Sequence, residues 1–555
     1  MKRVIALLLF CVVIIPCPSS GRSLHDEQLN SGIKNTDPYA YLLIREAEPG
    51  RSDRKTLLRE ALMYSPDLPA VYFELSKASF NLNPEGVFES VDFLLQGIAA
   101  YKRNFWWSFM MAASLLASLI LAFFFSVLIL LFLRLPRDLP LLSHDIKEVK
   151  AKMFLLLILI FALAGPLYFI GALLIITGFY VKKWDKIVVY LYLLFLLISP
   201  LVLKTFSLIF DAPTSGELKA IVQVNEGKGN RYALSVLRGS DNPVELFAYA
   251  LALKREGRHG EAIDVYNKIT EVGKKPLLYN NLANCYMAVN DIEKAKELYQ
   301  ASAQLRPRPS VFYNLSQAYR ETLNFDRGEE YFLKAQKLDN DAVLSFRRTA
   351  GRNPNRFVVD ESLPVSDLLK YAMGKTKNIS TMGLSSVPPI AMPVIALLMA
   401  ILFVSLDRRF KNRAYRCNRC GKILCSICEK HILWRKMCSQ CYRSLVKLDE
   451  LDAKERIARL LTVYEHRQGR RNIIKVLSFI LPGTGQIYAG SILPGLLTLW
   501  LFLFFLFIPL TNKIFVVEMS GFSHLWLNLC SFLFLGLVYV LSNIVTRRRL
   551  AKGWL

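Results

Sequence analysis

PLLYNNLANCYMAVNDIEKAKELYQASAQLRPRPSVFYNLSQAYRETLNFDRGEEYFLKAQKL runs from Pro276 to Leu338. Pro276 and Pro309 are 33 residues apart, and Pro243 stands another 33 upstream. On that frame Tyr279 aligns with Phe312, Leu282 with Leu315 and Tyr286 with Tyr319. Further along, Ala262, Ala295 and Gly328 coincide, as do Tyr266, Tyr299 and Phe332. Small residues thus recur where two helices touch, and aromatics recur to fill the gap beside them. One helix pair cannot bury its own face, but stacked pairs can. The spacing predicts an α-solenoid of three units, with a degenerate leading unit over 217–240 and a capping helix starting in 341–350.

This pattern resembles the tetratricopeptide repeat, whose consensus unit is 34 residues. The resemblance implies a concave groove for a protein or peptide partner; a purely structural spacer is the competing reading. Asn280, Asn281, Asn284, Asn314 and Gln317, on the inner helices, are candidate groove residues, because paired amide donors and acceptors can clamp a peptide backbone. Over 217–350, 20 Lys/Arg against 17 Asp/Glu leave a net charge of only +3, which implies no acidic ligand. Residues 36–101 carry a weaker version of the pattern, with Ala61, Tyr64 and Pro66 at repeat-like offsets before a new helix at Leu68-Pro69.

The 555-residue chain as a whole is too apolar for a soluble protein, at 53% hydrophobic with 35 Phe. Runs at about 105–133, 153–181, 187–210, 388–406 and 492–510, with a sixth at 522–545, are long enough to cross a bilayer. Residues 1–21 have the n-region, apolar core and small residues of a signal peptide, with an uncleaved anchor as the alternative. The formal charge of +25 is concentrated: 407–475 holds 19 Lys/Arg against 7 Asp/Glu. A basic stretch beside apolar spans reads as a cytoplasmic flank facing anionic lipid rather than as a nucleic-acid site. Basic loops at 134–152 and 182–186 both ask to lie on that side. They can do so only if 153–181 enters and returns at Gly165-Pro166; otherwise it is one tilted span. The repeats over 211–387 would then lie outside the cytoplasm and 407–471 inside.

Between Cys417 and Cys441 stand three C-x-x-C pairs: Cys417/Cys420, Cys425/Cys428 and Cys438/Cys441. The outer pairs, 17 residues apart, have the spacing of a four-thiolate zinc site. Zn2+ would replace the core that so short a module cannot build. The string also resembles the latter part of the FYVE zinc fingers, C-x-x-C-G-x-x-F/L-C-x-x-C followed by C-x-x-C-Y. That resemblance implies one zinc shared by Cys417, Cys420, Cys438 and Cys441. It gives the middle pair a second zinc shared with an upstream pair, which this chain lacks. Cys425 and Cys428 could instead recruit His431 into an incomplete second site. Phosphoinositide binding does not carry over, because the family's basic motif is reduced to Arg413 and Arg416. Further on, LPGTGQIYAG (481–490) resembles a Pro-Gly-x-Gly-Gln-x-Tyr-x-Gly signature of small bacterial membrane hairpins, where glycines serve close backbone packing.

No P-loop, G-x-S-x-G, H-E-x-x-H or intramembrane carboxylate pair occurs, so no enzyme is expected. The expected protein is mainly α: a signal peptide (1–21), a repeat-like helical domain (22–104), a membrane region (105–210), repeats with cap and linker (211–387), a span (388–406), a zinc module (407–446), a basic helical linker (447–471), a second membrane region (472–546) and a basic tail (547–555). It reads as a multi-pass scaffold or adaptor of a bacterial inner membrane, in contact with protein partners and lipid. A component of a transport or export system is the alternative.

Overall fold

The computed structural model describes residues 24–30, 32–145, 158–273, 275–349, 358–376, 383–409, 413–425, 437–445, 453–515 and 525–552. The signal-peptide segment, Cys428 and His431 lie outside them. The described chain is mainly α, with one two-stranded ribbon. It divides into two compact units, one from the described parts of 1–108 and 210–375, the other from 109–209, 376–518 and 524–555.

In the first unit the 33-residue period appears as three helix pairs: Pro243–Arg255 with His259–Val272, Pro276–Ala288 with Ile292–Leu305, and Pro309–Glu321 with Phe325–Leu338. Each first helix opens on proline, where the missing N–H is not needed. Each pair turns through a left-handed residue at the same register: Gly257 (φ +78°), Asn290 (φ +66°) and Leu323 (φ +58°). The side chains of Asp291 and Asn324 then cap the second helices, accepting from the Lys294 and Arg327 N–H. Ala262 and Ala295 are fully buried at the helix crossings, and Tyr266 and Tyr299 fill the space beside them. Gly216–Asn225 and Arg231–Val236 lead the array, and Asn340–Thr349 closes it.

Helices Asp37–Glu46, Arg54–Tyr64, Pro69–Ser79 and Pro84–Ala100 have their own apolar core around Leu58, Ala61, Leu68 and Val71. The boundary drawn at 104 hides how this part joins the repeats. Lys34 and Asn35 donate their N–H groups to the Gly227 carbonyl, and the Asn35 amide donates to Glu226 O (2.7 Å) and to Asp67 Oδ2 (3.0 Å). The two segments form one unit.

The second unit holds helices long and apolar enough to cross a membrane: Phe105–Asp145 (which begins in the first unit), Trp184–Thr214 (which ends in it), Pro389–Arg409, Ile492–Phe515 and Leu527–Ala551. The run at 153–181 departs from a single span. Its described part is helical over 158–164, breaks at Gly165 (φ +125°) and resumes as Pro166–Gly178, about 20 Å long. The basic loop expected from 134 onward is also different: the first helix continues to Asp145 through Pro136 and Pro140. A buried bidentate pair from Arg134 to Asp138, both bonds 2.9 Å, neutralises the charges that would otherwise end it.

Packing shows which helix ends lie together. At one end the Tyr180 hydroxyl donates to Asp145 Oδ2 (2.9 Å), and the Ala414 N–H donates to the same carboxylate. Arg413 donates to Phe179 O (2.6 Å), and Lys186 pairs with Asp407 at 2.6 Å. At the other end the break at Gly165 meets 384–386: the Leu167 N–H donates to Leu384 O (3.3 Å), and the Ser386 N–H donates to Ala164 O (3.0 Å). Between the ends, Gly171 lies against Met399, and Gly178 against Phe403. Asp145 and Tyr180 therefore share one end while Gly165 reaches the other, which makes Gly165 the turn of an out-and-back hairpin. Residues 146–157, which connect Asp145 to this turn, lie outside the described residues.

The LPGTGQIYAG stretch is a close-packed turn. A Cβ on Gly483 (φ +88°) would lie 2.3 Å from the Gly495 carbonyl, and one on Gly495 would lie 2.7 Å from the Gly483 carbonyl. Arg137 and Arg470 cap the short Thr484–Ala489 helix by donating to Tyr488 O and Ala489 O. Asp185, in the lysine-rich loop at 182–186, accepts from the Ile492 and Leu493 N–H at a helix N-terminus.

Candidate functional site

The inner helices of the repeats hold an extended stretch of the same chain, residues 358–364. Asparagine side chains grip it at every second residue. Asn314 accepts the Val359 N–H (2.7 Å) and donates to the Val359 carbonyl (2.8 Å). Asn281 does the same for Glu361, at 2.8 Å each way. Asn225 does the same for Leu363, accepting the N–H and donating to the carbonyl at 3.0 Å. A primary amide presents one acceptor and two donors, so it can pair with both backbone groups of one extended residue. Asn281 and Asn314 are one repeat apart, and the two-residue spacing of the contacts matches the alternation of an extended chain.

Asn280 and Asn284 back this ladder. Both donate to the Val359 carbonyl at 3.0 Å, and both accept from the Asn314 amide. The buried Tyr299 hydroxyl fixes Asn284 by donating to its Oδ1 (2.6 Å). Of the five residues singled out in sequence, four touch the segment. Gln317 is buried on the same helix beside Tyr313.

The charge reading needs correction. The near-neutral sum over the repeats hides a local concentration of cations around two carboxylates. Asp360 pairs with Lys254 (2.6 Å) and Arg255 (3.3 Å) and accepts from the Asn284 amide (2.9 Å). Burial alone pushes its carboxyl up, but Lys254, Arg255 and these hydrogen bonds bring it down to about 2. Glu361 accepts from Arg308 and from the Ser310 hydroxyl. Val359 packs against the apolar cluster of Tyr313, Ala335 and Val343, and Leu363 is buried. The sequence reading missed Asn225, the three cations and the segment itself. Asn225 lies outside the regular 33-residue register, and 358–364 has no periodic signal.

A second cluster gathers four thiols. The Sγ atoms of Cys417, Cys420, Cys438 and Cys441 all lie within 4.8 Å of one another. The first knuckle closes a short ribbon in which Tyr415 pairs with Leu424 and Arg416 with Ile423. The Cys417 N–H bonds Lys422 O (2.8 Å), and the Gly421 N–H bonds Cys417 O (3.0 Å). Gly421 has φ +79°, and the His466 ring fills the place a Cβ would take. The second knuckle enters helix Ser439–Leu445, and Val463, from helix Ala453–Ile480, completes the surrounding core.

Electrostatics of this cluster favour a cation. Burial raises the Cys417 thiol, but N–H groups of Cys420, Cys438 and Arg419 aimed at its sulphur bring it down to about 7. Cys438 and Cys441 are raised, first by burial and also by the neighbouring sulphurs. Four sulphurs this close together, three of them buried, can all ionise only with a cation between them, and soft thiolates select a thiophilic one. Cys420 and Cys438 stand 3.7 Å apart, unbonded, so this is a thiol cluster and not a disulfide. Cys425 is buried elsewhere, against Leu141 and Ala414, and is not one of the four.

Comparison with known proteins bears on the first site. Two models of the tetratricopeptide repeat match this chain, over residues 276–309 and 309–341. A 66-residue stretch is 36% identical to the mitochondrial import receptor subunit TOM70 of Saccharomyces cerevisiae, in each of two strains. That match covers 11% of this chain, and the chain spans 11% of the length of these curated relatives. The helix pairs over 276–341 are tetratricopeptide repeats, the module through which the groove is built.

Proposed function

We propose that this protein is a non-enzymatic, membrane-anchored adaptor that recruits a protein partner through its repeat groove. The observation that carries this reading is the asparagine ladder. Its bonds go to backbone groups, which every polypeptide has, so the groove is chemically equipped to hold an extended chain. The helices long enough to span a membrane supply the anchor. The end carrying Lys186, Arg408, Arg409 and Arg413 is the cytoplasmic one by the excess of cations there, and the repeats work on the opposite side. A bacterial inner membrane suits this arrangement. The likeness to TOM70 is confined to a short stretch and supports polypeptide recognition by the repeats, not import.

The cysteine module serves as a metal-stabilised platform on the cytoplasmic side. Zinc is the metal that fits best, because a tetrahedron with bonds of about 2.3 Å has sulphur–sulphur edges of about 3.8 Å. The 3.7 Å between Cys420 and Cys438 is close to that edge. Zinc there would be structural: four protein sulphurs leave no open position for catalysis.

Photo-crosslinking in native membranes tests the adaptor. Probes at exposed repeat positions such as Glu297 and Leu305 are expected to capture a protein. Adducts to lipid alone, or none, would overturn it. Thiol-accessibility mapping of cysteines introduced at 300 and 460 checks the sidedness: opposite faces are expected, and the same face would exclude it.

A further inference from the structure

We infer that the groove reads an acidic extended peptide of the pattern apolar–acid–acid–x–apolar, and that the chain's own segment 358–364 is a tethered competitor for it. This rests on the adaptor reading and specifies its ligand. The three amide clamps act on the main chain of Val359, Glu361 and Leu363, so they impose an extended conformation but no sequence. Sequence preference comes from the remaining contacts. Lys254 and Arg255 face one carboxylate, Arg308 and Ser310 face the next, Val359 packs against an apolar cluster and Leu363 is buried. Ser362 and Pro364 are exposed and unread. A peptide from another protein with two adjacent carboxylates between aliphatic residues can make every one of these contacts.

The tether decides when that happens. The segment follows the last repeat helix, Asn340–Thr349, and leads directly into Val365–Lys375, which docks on the same unit through Tyr371 and Lys375 to Glu245. Held at both ends, it competes at an effective concentration on the order of millimolar. A free peptide therefore binds with an apparent affinity reduced by the fraction of time the groove is closed. A partner gains access by carrying a better match, by binding elsewhere as well, or when the tether is pulled away.

The test uses the full-length protein in detergent and a fluorescent synthetic peptide, FVVDESLPV, copied from residues 357–365. In the Asp360→Lys/Glu361→Lys double variant, repulsion from Lys254, Arg255 and Arg308 releases the tethered segment and leaves the groove intact. Anisotropy should show the peptide binding the released variant at least tenfold more tightly than wild type. Adding Asn281→Ala and Asn314→Ala should cancel the gain. Equal affinity for wild type and the released variant, with 358–364 demonstrably released by hydrogen exchange, would overturn the inference. Should the double variant fail to fold, wild type suffices. Excess isotope-labelled peptide should speed amide exchange in the chain's own 358–364, and unchanged protection at saturating peptide would sink the idea. Partners crosslinked at Glu297 while 358–364 stays protected would overturn this inference alone. A released variant that binds the peptide but captures no protein in membranes would uphold the peptide chemistry and overturn the adaptor reading.

Discussion

The asparagine ladder and the thiol cluster solve the same problem, holding something polar inside a helical protein, in opposite ways. The ladder draws its groups from helices across the array, from Asn225 to Asn314, and grips an occupant made of ordinary backbone. The thiol cluster draws its groups from 25 consecutive residues and closes on a single point. Each ladder bond is a neutral hydrogen bond that water or another peptide can replace, with a net contribution of about 1 kcal/mol. Four thiolates on one cation would be all or nothing, and folding of such a module would be coupled to that binding. A site meant for exchange is built from many weak, dispersed contacts; a site meant to stay shut is built from a few strong, local ones.

This contrast can be broken at several points. The largest effect is expected at the thiols. Cys417→Ser or Cys438→Ser should reduce bound zinc from one per chain to none and unfold residues 413–445, whereas Cys425→Ser should leave the stoichiometry at one. Metal analysis with limited proteolysis reads both, and a wild-type stoichiometry of zero under reducing conditions would end the zinc proposal. Next is the scaffold beneath the ladder. Ala295 is fully buried where two helices cross, so Ala295→Trp should destabilise the repeats by about 1–3 kcal/mol through overpacking. Thermal unfolding of the repeats should show it while bound zinc is unchanged.

A single rung is worth less. Asn281→Ala removes both bonds to the Glu361 backbone and should weaken docking of the segment by about 1–2 kcal/mol. Amide exchange at Glu361 would then quicken roughly five- to thirtyfold, since about 1.4 kcal/mol corresponds to a factor of ten. The smallest effect is on pH. The Asp360 carboxyl is held at about 2, below its ordinary value of 3.8. Its contribution is therefore complete above the ordinary value and lost as pH falls through the lower one. Protection of 358–364 should be flat from pH 8 to 5 and decline only below about 4. A decline already at pH 6 would point to a different group.

Much of this was legible in the chain because it is periodic or local. The recurrence of proline, alanine and tyrosine at 33-residue intervals gave the helix pairs, since each repeat meets its neighbours in the same way. The C-x-x-C spacing gave the four thiols, since two knuckles separated by a short loop have little choice but to face each other. Four groove asparagines were found because polar residues on an inner helix have nothing else to pack against. The occupant was not found. Segment 358–364 reaches Asn225 across 138 positions, and nothing in VVDESLP marks it as docked. The cations around Asp360 and Glu361 were averaged away, because net charge sums over a region what geometry concentrates in a few ångströms. Continuation of the first helix past Arg134 was equally hidden, because a charge reads as the end of an apolar run until its partner Asp138 is seen.

The turn at Gly165 sets a timetable for assembly. Its φ of +125° and the approach of the Ser385 Cα to 2.8 Å from where a Cβ would be leave no room for another residue. Beside it, the Ala164 carbonyl and the Leu167 N–H pair with 384–386, about 220 residues later in the chain. At a synthesis rate of about 5–20 residues per second, those partners arrive about 10–40 s after the hairpin itself. Until then those two groups lack the partners that the finished fold gives them. The entire repeat region is made during this interval, so the final locking of these helices comes only after the repeats have been synthesised.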